Sequence, residues 1–462
     1  MSSSPNTYEK ANDVYIYDIR LVSDMGSDLS LKKQTKVINI YEDVTSACIR
    51  GEIVFTDAQN LIRHFPICGQ ESVHIKFSTP GTGTDPVEFK LDVVEILERT
   101  KSDNGKSELI RLGLVSKQAR MNEAFRISQT FRGPIHSMIA KIYKNYLKSD
   151  KPVALEPTTN QITYCVPNKR PIETIQWLAS RSISGEQSPQ SYNFLFFETA
   201  KAFMFVSLDS LASVPAAVTY TYSGSNRQSD SPMMTTNYLL KINNIEELNY
   251  TKSFNRLNEM NDGLYSSELL VHDITYKYIS KTNKNYYKDW NNTNHIEPNP
   301  TLPRGLNKYA NTVNPKLIVR NRQSGLFESH TSQRYEEFLQ NRNISILEYD
   351  INKVEITVPG NCKLTCGLPI NMEIVKPEPL YSGDMEKKDT FQSGKYLITA
   401  VRHFLEDVGT KPTHKCIVQL SRGSLPEAIP DKITFDGRSF EPNHQDSSSG
   451  VYGILDLFKG FI

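Results

Sequence analysis

Hydrophobic and polar positions alternate in short runs over two long stretches of this chain, residues 15–116 and 344–421. In the first, Val73, Ile75 and Phe77 alternate with His74, Lys76 and Ser78. Phe89, Leu91 and Val93 follow the same rule, as do Ile110, Leu112 and Leu114. A two-residue period puts each set on one face of a strand. Residues 80–86, with Gly81 and Gly83, predict a turn. Asp103-Asn104-Gly105 predicts a tight hairpin, because Asn and Gly tolerate the positive φ that such a turn requires. In the second stretch Val354, Ile356 and Val358 alternate with Glu355 and Thr357, Gly360-Asn361 predicts a turn, and Met372 and Ile374 flank Glu373. Residues 396–401 are apolar on both faces, as in a strand covered on both sides, and Cys416, Val418 and Leu420 complete the set. Each stretch therefore predicts a small antiparallel barrel or sandwich.

Between them the period changes. Ile135, Met138, Ile139, Ile142, Tyr143 and Tyr146 recur at three-to-four spacing after Gly133-Pro134, which predicts an amphipathic helix with proline near its first turn. Pro171 opens a second helix, with Ile172, Ile175, Leu178 and Ala179 on one side, and a hairpin follows over residues 193–198 and 202–207. The expected organisation is a first β unit (1–117), an α+β unit (118–210) and linking strands that partly join the second β unit (211–280). An Asn/Lys-rich insertion ending in a helix (281–343), the second β unit (344–422) and a C-terminal tail (423–462) follow. Residues 213–235 read as an exposed loop, and 281–330 as a long excursion ordered only against a partner.

Composition narrows the function classes. Lys+Arg is 53 and Asp+Glu 52 in 462 residues, so the basic excess of a dedicated nucleic-acid binder is missing. Hydrophobic content of 38% is low for a compact enzyme, whereas 23 Tyr and 20 Phe supply anchors for partner surfaces. No apolar run approaches bilayer length, and the polar start, Met1 to Tyr8, lacks a signal-peptide core; the expectation is folding in a cytoplasm without stable membrane insertion. Cys48, Cys68, Cys165 and Cys416 lie singly among apolar neighbours and are expected as buried free thiols.

Catalytic chemistry finds little support. Pro80-Gly81-Thr82-Gly83-Thr84 lacks the Lys-Ser/Thr ending and the helix of a phosphate loop. HExxH and GxSxG motifs are absent, and the pairs Glu336-Glu337 and Glu246-Glu247 diverge on any regular element. Cys362 and Cys366 form the one close cysteine pair, and His403 and His414 lie in the same unit, but the spacing is not that of paired zinc knuckles. No metal and no cofactor is expected. Lys281 to Lys288 with Tyr286, Tyr287 and Trp290 is a basic-aromatic stretch, read as an exposed loop for a protein partner in preference to a base-stacking surface. Leu455, Phe458, Phe461 and Ile462 make the C-terminus apolar after a Ser447-Ser448-Ser449-Gly450 linker, either packed on their own core or anchoring another subunit.

The run Ile49-Arg50-Gly51-Glu52-Ile53-Val54-Phe55-Thr56-Asp57-Ala58-Gln59-Asn60, then Glu71 to Phe77, resembles the first barrel of central baseplate hub proteins of myovirus-type contractile phage tails. The helix from Ile135, the hairpin around Phe194 to Val206, and Ser393-Gly394-Lys395-Tyr396-Leu397-Ile398-Thr399-Ala400-Val401-Arg402-His403 resemble later elements in the same order. The resemblance covers roughly residues 13–422, and type VI secretion spike proteins resemble the chain more distantly. It implies a mainly β fold with α+β insertions and two tube-protein-like antiparallel β-barrels per chain, closing a pseudo-sixfold ring in a homotrimer. It implies a structural, non-enzymatic hub in the virion tail baseplate, assembled in the host bacterial cytoplasm, that adapts a sixfold tail tube to a threefold central spike. Implied partners are the spike, the tail tube or its initiator, the tape measure protein and baseplate wedge proteins, with DNA passing through the channel unread. Lys90, Asp92, Glu355 and Thr357 become candidates to face that channel, and Leu455, Phe458, Phe461 and Ile462 candidates to grip the spike. The rivals are a hub of a type VI-like or other contractile injection system and, in another class, a tail-tip cell-wall hydrolase.

Overall fold

The computed structural model describes residues 11–58, 60, 65, 67–80, 85–101, 105–185, 189–222, 242–301, 316–322, 335–376, 388–429, 434–435 and 438–439. It is mainly β and mostly antiparallel. The chain begins with β1 (Tyr15–Val22), β2 (Asp28–Ser30), β3 (Thr35–Asp43), β4 (Arg50–Asp57), β5 (Ser72–Ser78), β6 (Val87–Lys101) and β7 (Glu108–Ser116). Next come α1 (Lys117–Ala124), β8 (Thr130–Pro134), α2 (Ile135–Ile142), β9 (Val153–Leu155), β10 (Gln161–Cys165), α3 (Pro171–Ala179), β11 (Phe194–Glu198), β12 (Phe203–Ser207) and α4 (Leu208–Ser213). Then follow β13 (Thr219–Tyr222), β14 (Glu247–Lys252), α5 (Arg256–Asp262), β15 (Ser266–Asp273), β16 (Tyr278–Asn285), α6 (Tyr286–Asp289), β17 (Asn299–Pro300), β18 (Lys316–Arg322) and α7 (Tyr335–Tyr349). The last part holds β19 (Asn352–Pro359), β20 (Pro369–Ile374), β21 (Gly394–Glu406), β22 (Thr413–Arg422) and β23 (Ser424–Leu425).

Thirteen strands form one sheet, ordered β14-β19-β22-β21-β3-β4-β7-β6-β5-β1-β2, with β20 on β21 and β13 on β20. The alternating triplets behave as their period requires: Val73, Ile75, Phe77, Ile110 and Leu112 are fully buried in a core lined by β1 to β7. A second core gathers Tyr220, Val354, Ile356, Met372, Tyr396, Ile398, Val418 and Leu420. Residues 396–398 are buried in succession, with Tyr396 and Ile398 in the second core and Leu397 in a cluster with Phe197 and Tyr349. The α+β unit has its own core. Ile135, Met138, Ile139 and Ile142 line one face of α2, Pro171 starts α3, and β11 pairs antiparallel with β12. The last turn of the helix that the pattern predicts is a π-helical segment, Tyr143–Leu147, closed by Lys148 at φ +45°.

Several expectations are corrected. Within 213–235, Thr219–Tyr222 is a strand parallel to β20, and Tyr220 is buried. Within 281–330, β16 and β18 flank β15, and Tyr286 and Trp290 are buried among Tyr265, Ile344 and Ile351. The described part of that excursion thus folds against its own chain, and its Tyr286 and Trp290 rings are not free to stack on bases. Cys68 and Cys165 are exposed and Cys48 is half-buried, whereas Cys362, Cys366 and Cys416 are buried. The helix expected before the second β unit runs on to Tyr349, with Phe338 inward. Among the described residues no helix is long and apolar enough to cross a membrane.

Candidate functional site at the seam between the sheet halves

The hairpin of β21 and β22 belongs to both halves of the sheet. The start of β21 pairs with β20 (Pro369↔Leu397 to Met372↔Gly394), and its end pairs with β3 on that side (Ala400↔Asp43 to Glu406↔Val37). Its other edge pairs with β22, with a register shift between Ile398 and Ala400 where the strand passes from one core to the other. Leu405 and Val408, near the hairpin tip, are buried in the first core with Cys362. Asp13 bridges Thr413, and His414 N donates to Asn12 O at 2.9 Å, so β22 also hydrogen-bonds the segment that leads into β1.

Polar side chains lock this seam. Glu42, buried on β3, accepts from Ala200 N (2.9 Å), Cys366 N (3.2 Å) and the Thr365 hydroxyl. One carboxyl thereby ties β3 to the β11–β12 turn and to the segment after β19. Burial pushes its pKa up to about 7, against the lowering effect of the three donors. Glu198, also buried, accepts from Ile49 N (3.0 Å) and Lys151 Nζ (2.7 Å). Arg402 donates from Nε to Asn39 Oδ1 (3.0 Å) across the β21–β3 ladder. At the far end Arg422 is buried, donating to Ser393 O (2.9 Å) and Phe391 O (2.6 Å) with its guanidinium over the Tyr396 ring.

At the same seam β21 and β22 bring three side chains together. His403 lies directly opposite Cys416 in the ladder, and His414 is two residues before Cys416 on the same strand face. His403 Nδ1 is 3.2 Å from His414 Nε2, and Cys416 Sγ is 3.5 Å from each. Phe77 and Phe89 of the first core pack their rings against this cluster, while Cys416 belongs to the second core. Burial depresses the His403 pKa to about 4 and drives His414 well below the usual histidine range, with His403 adding to the effect on His414. Burial also raises the Cys416 thiol to about 12. Cys362 and Cys366, the close pair in the sequence, do not join the two histidines. Strand alternation selects Cys416 instead, a signal present in His414-Lys415-Cys416.

The four channel candidates are not brought together. Lys90 is exposed on β6 beside Glu88, and Asp92 is buried and paired with Arg120 at 2.9 Å. Glu355 is half-buried on β19, and Thr357 is buried, donating to Glu247 at 3.2 Å. The spike candidates Leu455, Phe458, Phe461 and Ile462 lie outside the described residues, as do residues 81–84 of the glycine-containing turn.

No family model matches the sequence, and no curated protein matches it. Solved structures do match the fold. A tail protein from Neisseria meningitidis MC58 superposes over 90% of this chain and 100% of its own length, with a TM-score of 0.52 at 12% identity. The 43 kDa tail protein of prophage MuSo2 from Shewanella oneidensis superposes over 88% of this chain and 98% of its own, with a TM-score of 0.51 at 12% identity. The chain shares the fold of these two tail proteins over nearly the whole of their length.

Proposed function

We propose that this chain is a structural, non-enzymatic hub of a contractile phage-tail baseplate, working as a homotrimer between the tail tube and the central spike. The observation that carries the reading is the β21–β3 ladder, which fuses two sheet-built cores side by side within one chain. Three such chains closing about an axis would present six seats to a sixfold tube and three to a spike. Apolar residues exposed on the described surface support self-association: Val94, Ile96 and Leu97 on the projecting β6–β7 hairpin, and Leu317 and Val319 on the edge strand β18. In this reading the chain is part of the virion, is assembled in the host cytoplasm, and lets DNA pass its lumen. It also meets the tube or its initiator, the tape measure protein and wedge proteins. Lys90 and Glu355, the more exposed of the four channel candidates, are the ones to face that lumen.

Light scattering on the purified chain, alone and with its spike, tests the assembly. The expected mass is about three times the 52.5 kDa chain. A monomer at high concentration that stays monomeric with the spike sinks the hub. Deletion of residues 451–462 should abolish spike co-purification if the apolar C-terminus grips the spike, and unchanged co-purification removes that role. A muramidase assay on the same protein separates the hydrolase rival, with no activity expected.

A further inference from the structure

The seam cluster has the dimensions of a metal site. Zinc–nitrogen bonds of about 2.0–2.1 Å and a zinc–sulfur bond of about 2.3 Å give a tetrahedron N···N edges of roughly 3.3–3.4 Å and N···S edges of roughly 3.5–3.6 Å. The triangle of His403 Nδ1, His414 Nε2 and Cys416 Sγ has edges of 3.2, 3.5 and 3.5 Å. Three donor atoms of the types zinc prefers thus stand where one ion would reach them all, with no side chain having to cross the core. We propose that His403, His414 and Cys416 bind one zinc-class divalent ion that staples β21 to β22 at the hairpin both cores share.

The surroundings fit that use. Asn361 N donates to the Cys416 sulfur at 3.4 Å, which favours a thiolate there. Gly360 has no room for a side chain over the cluster: a Cβ would stand 2.3 Å from Cγ of His414. The Asn361 carbonyl oxygen lies 3.6 Å from the same sulfur, about the length of a tetrahedral edge. That carbonyl or a trapped water is the fourth ligand, since no further His, Cys, Asp or Glu joins the cluster among the described residues. On binding, the thiol releases one proton to solvent and the two imidazoles coordinate through lone pairs. The site lies wholly inside this chain, so it stands whether or not the chain is a baseplate hub.

The role follows from position. The rings of Phe77 and Phe89 bring the first core onto the cluster, and Cys416 is part of the second. An ion here would fix the register of β21 on β22, the hairpin whose tip completes the first core and whose base belongs to the second.

Cobalt(II) chloride is the probe. The full chain, stripped with chelator, should take up about one cobalt per chain with a thiolate-to-cobalt charge-transfer band and the strong visible bands of tetrahedral cobalt. Cys416→Ser should lose the charge-transfer band, while Cys362→Ser and Cys366→Ser keep it. Absence of the band in the wild-type chain, or its survival in Cys416→Ser, overturns the proposal. Because Cys416→Ser could disturb folding, X-ray absorption on the zinc-loaded wild-type chain gives a reading free of variants. One sulfur and two imidazole nitrogens around zinc are expected, and a sulfur-free or two-sulfur environment overturns the assignment.

Discussion

Among the described residues, the first core draws all but three of its buried apolar side chains from the stretch ending at Leu114; the exceptions are Cys362, Leu405 and Val408. The second core is assembled from afar: Tyr220 and Ile245 arrive before the long insertion, and Val354 through Leu420 after it. Consecutive strands make the first core a set of short loop closures, while the second needs closures spanning far more chain, which cost more entropy and form later. Yet the local core is not self-sufficient. Its last wall is the tip of β21–β22, so the late-forming half completes the early one.

That dependence makes Leu405 the sharpest place to separate the two regions. Leu405 is fully buried, sits on β21 and packs in the first core. Leu405→Ala should cost about 2–5 kcal/mol from lost burial and the cavity left behind. Hydrogen exchange should quicken in β3 and β4 as well as in the hairpin itself. If faster exchange stays confined to residues 394–422, the halves are independent and the shared-wall account fails.

A smaller effect is expected at Glu42, which ties β3 to two other segments. Its folded pKa of about 7 lies above the usual carboxyl value, so the folded protein holds this proton more tightly than the unfolded chain. Its contribution is fully present below the unfolded pKa and is lost as pH rises through about 7. His403 works the other way: with a folded pKa near 4, its contribution is present above the ordinary histidine value and is lost as pH falls toward 4. His414 acts in the same direction. In the metal-free protein, stability should therefore fall on acidification below pH 6.5, and Glu42→Gln should make that fall steeper by removing the opposing group. The substitution also leaves a buried N–H short of an acceptor, at a cost of about 1–3 kcal/mol. Urea unfolding across this pH range, with chelator present, reads both effects; parallel curves for the two proteins would refute the assigned titration.

The contrast between the cores also explains what the sequence discloses. Wherever one face is buried and the other wet, as in Val73–Ile75–Phe77 or Val354–Ile356–Val358, the period of two is visible in the residue string. Pro171 and the three-to-four spacing of α2 likewise announce themselves. What stays hidden is pairing across distance: nothing local in β3 or β21 says that Asp43 will meet Ala400. Strands buried by neighbours far along the chain are hidden too. Thr219-Tyr220-Thr221-Tyr222 reads as a polar loop until β20 lies beside it. The same holds for Trp290, whose polar flanks conceal a ring stacked on His295 and buried under α7. The His403–His414–Cys416 cluster is half legible: strand alternation puts His414 and Cys416 on one face, but only the β21–β22 register brings His403 opposite them.

The smallest expected effect tests the wet face of that sheet. Arg111 on β7 donates from Nη2 to Glu52 on β4 at 2.6 Å, beside core positions Ile110 and Leu112 whose side chains point the other way. The Glu52 carboxylate raises the Arg111 pKa, but the arginine is 40% exposed and water screens the pair. Arg111→Ala should therefore cost only about 0–1 kcal/mol, and the difference should vanish in high salt. Its neighbour Leu112, fully buried one residue away, would lose several times as much on the same truncation. Urea melts of the two variants, with light scattering alongside, make the comparison. A loss above about 2 kcal/mol at Arg111, or a change in assembly mass, would mean that this face is covered in the working assembly and that the polar side of the first core is an interface between chains.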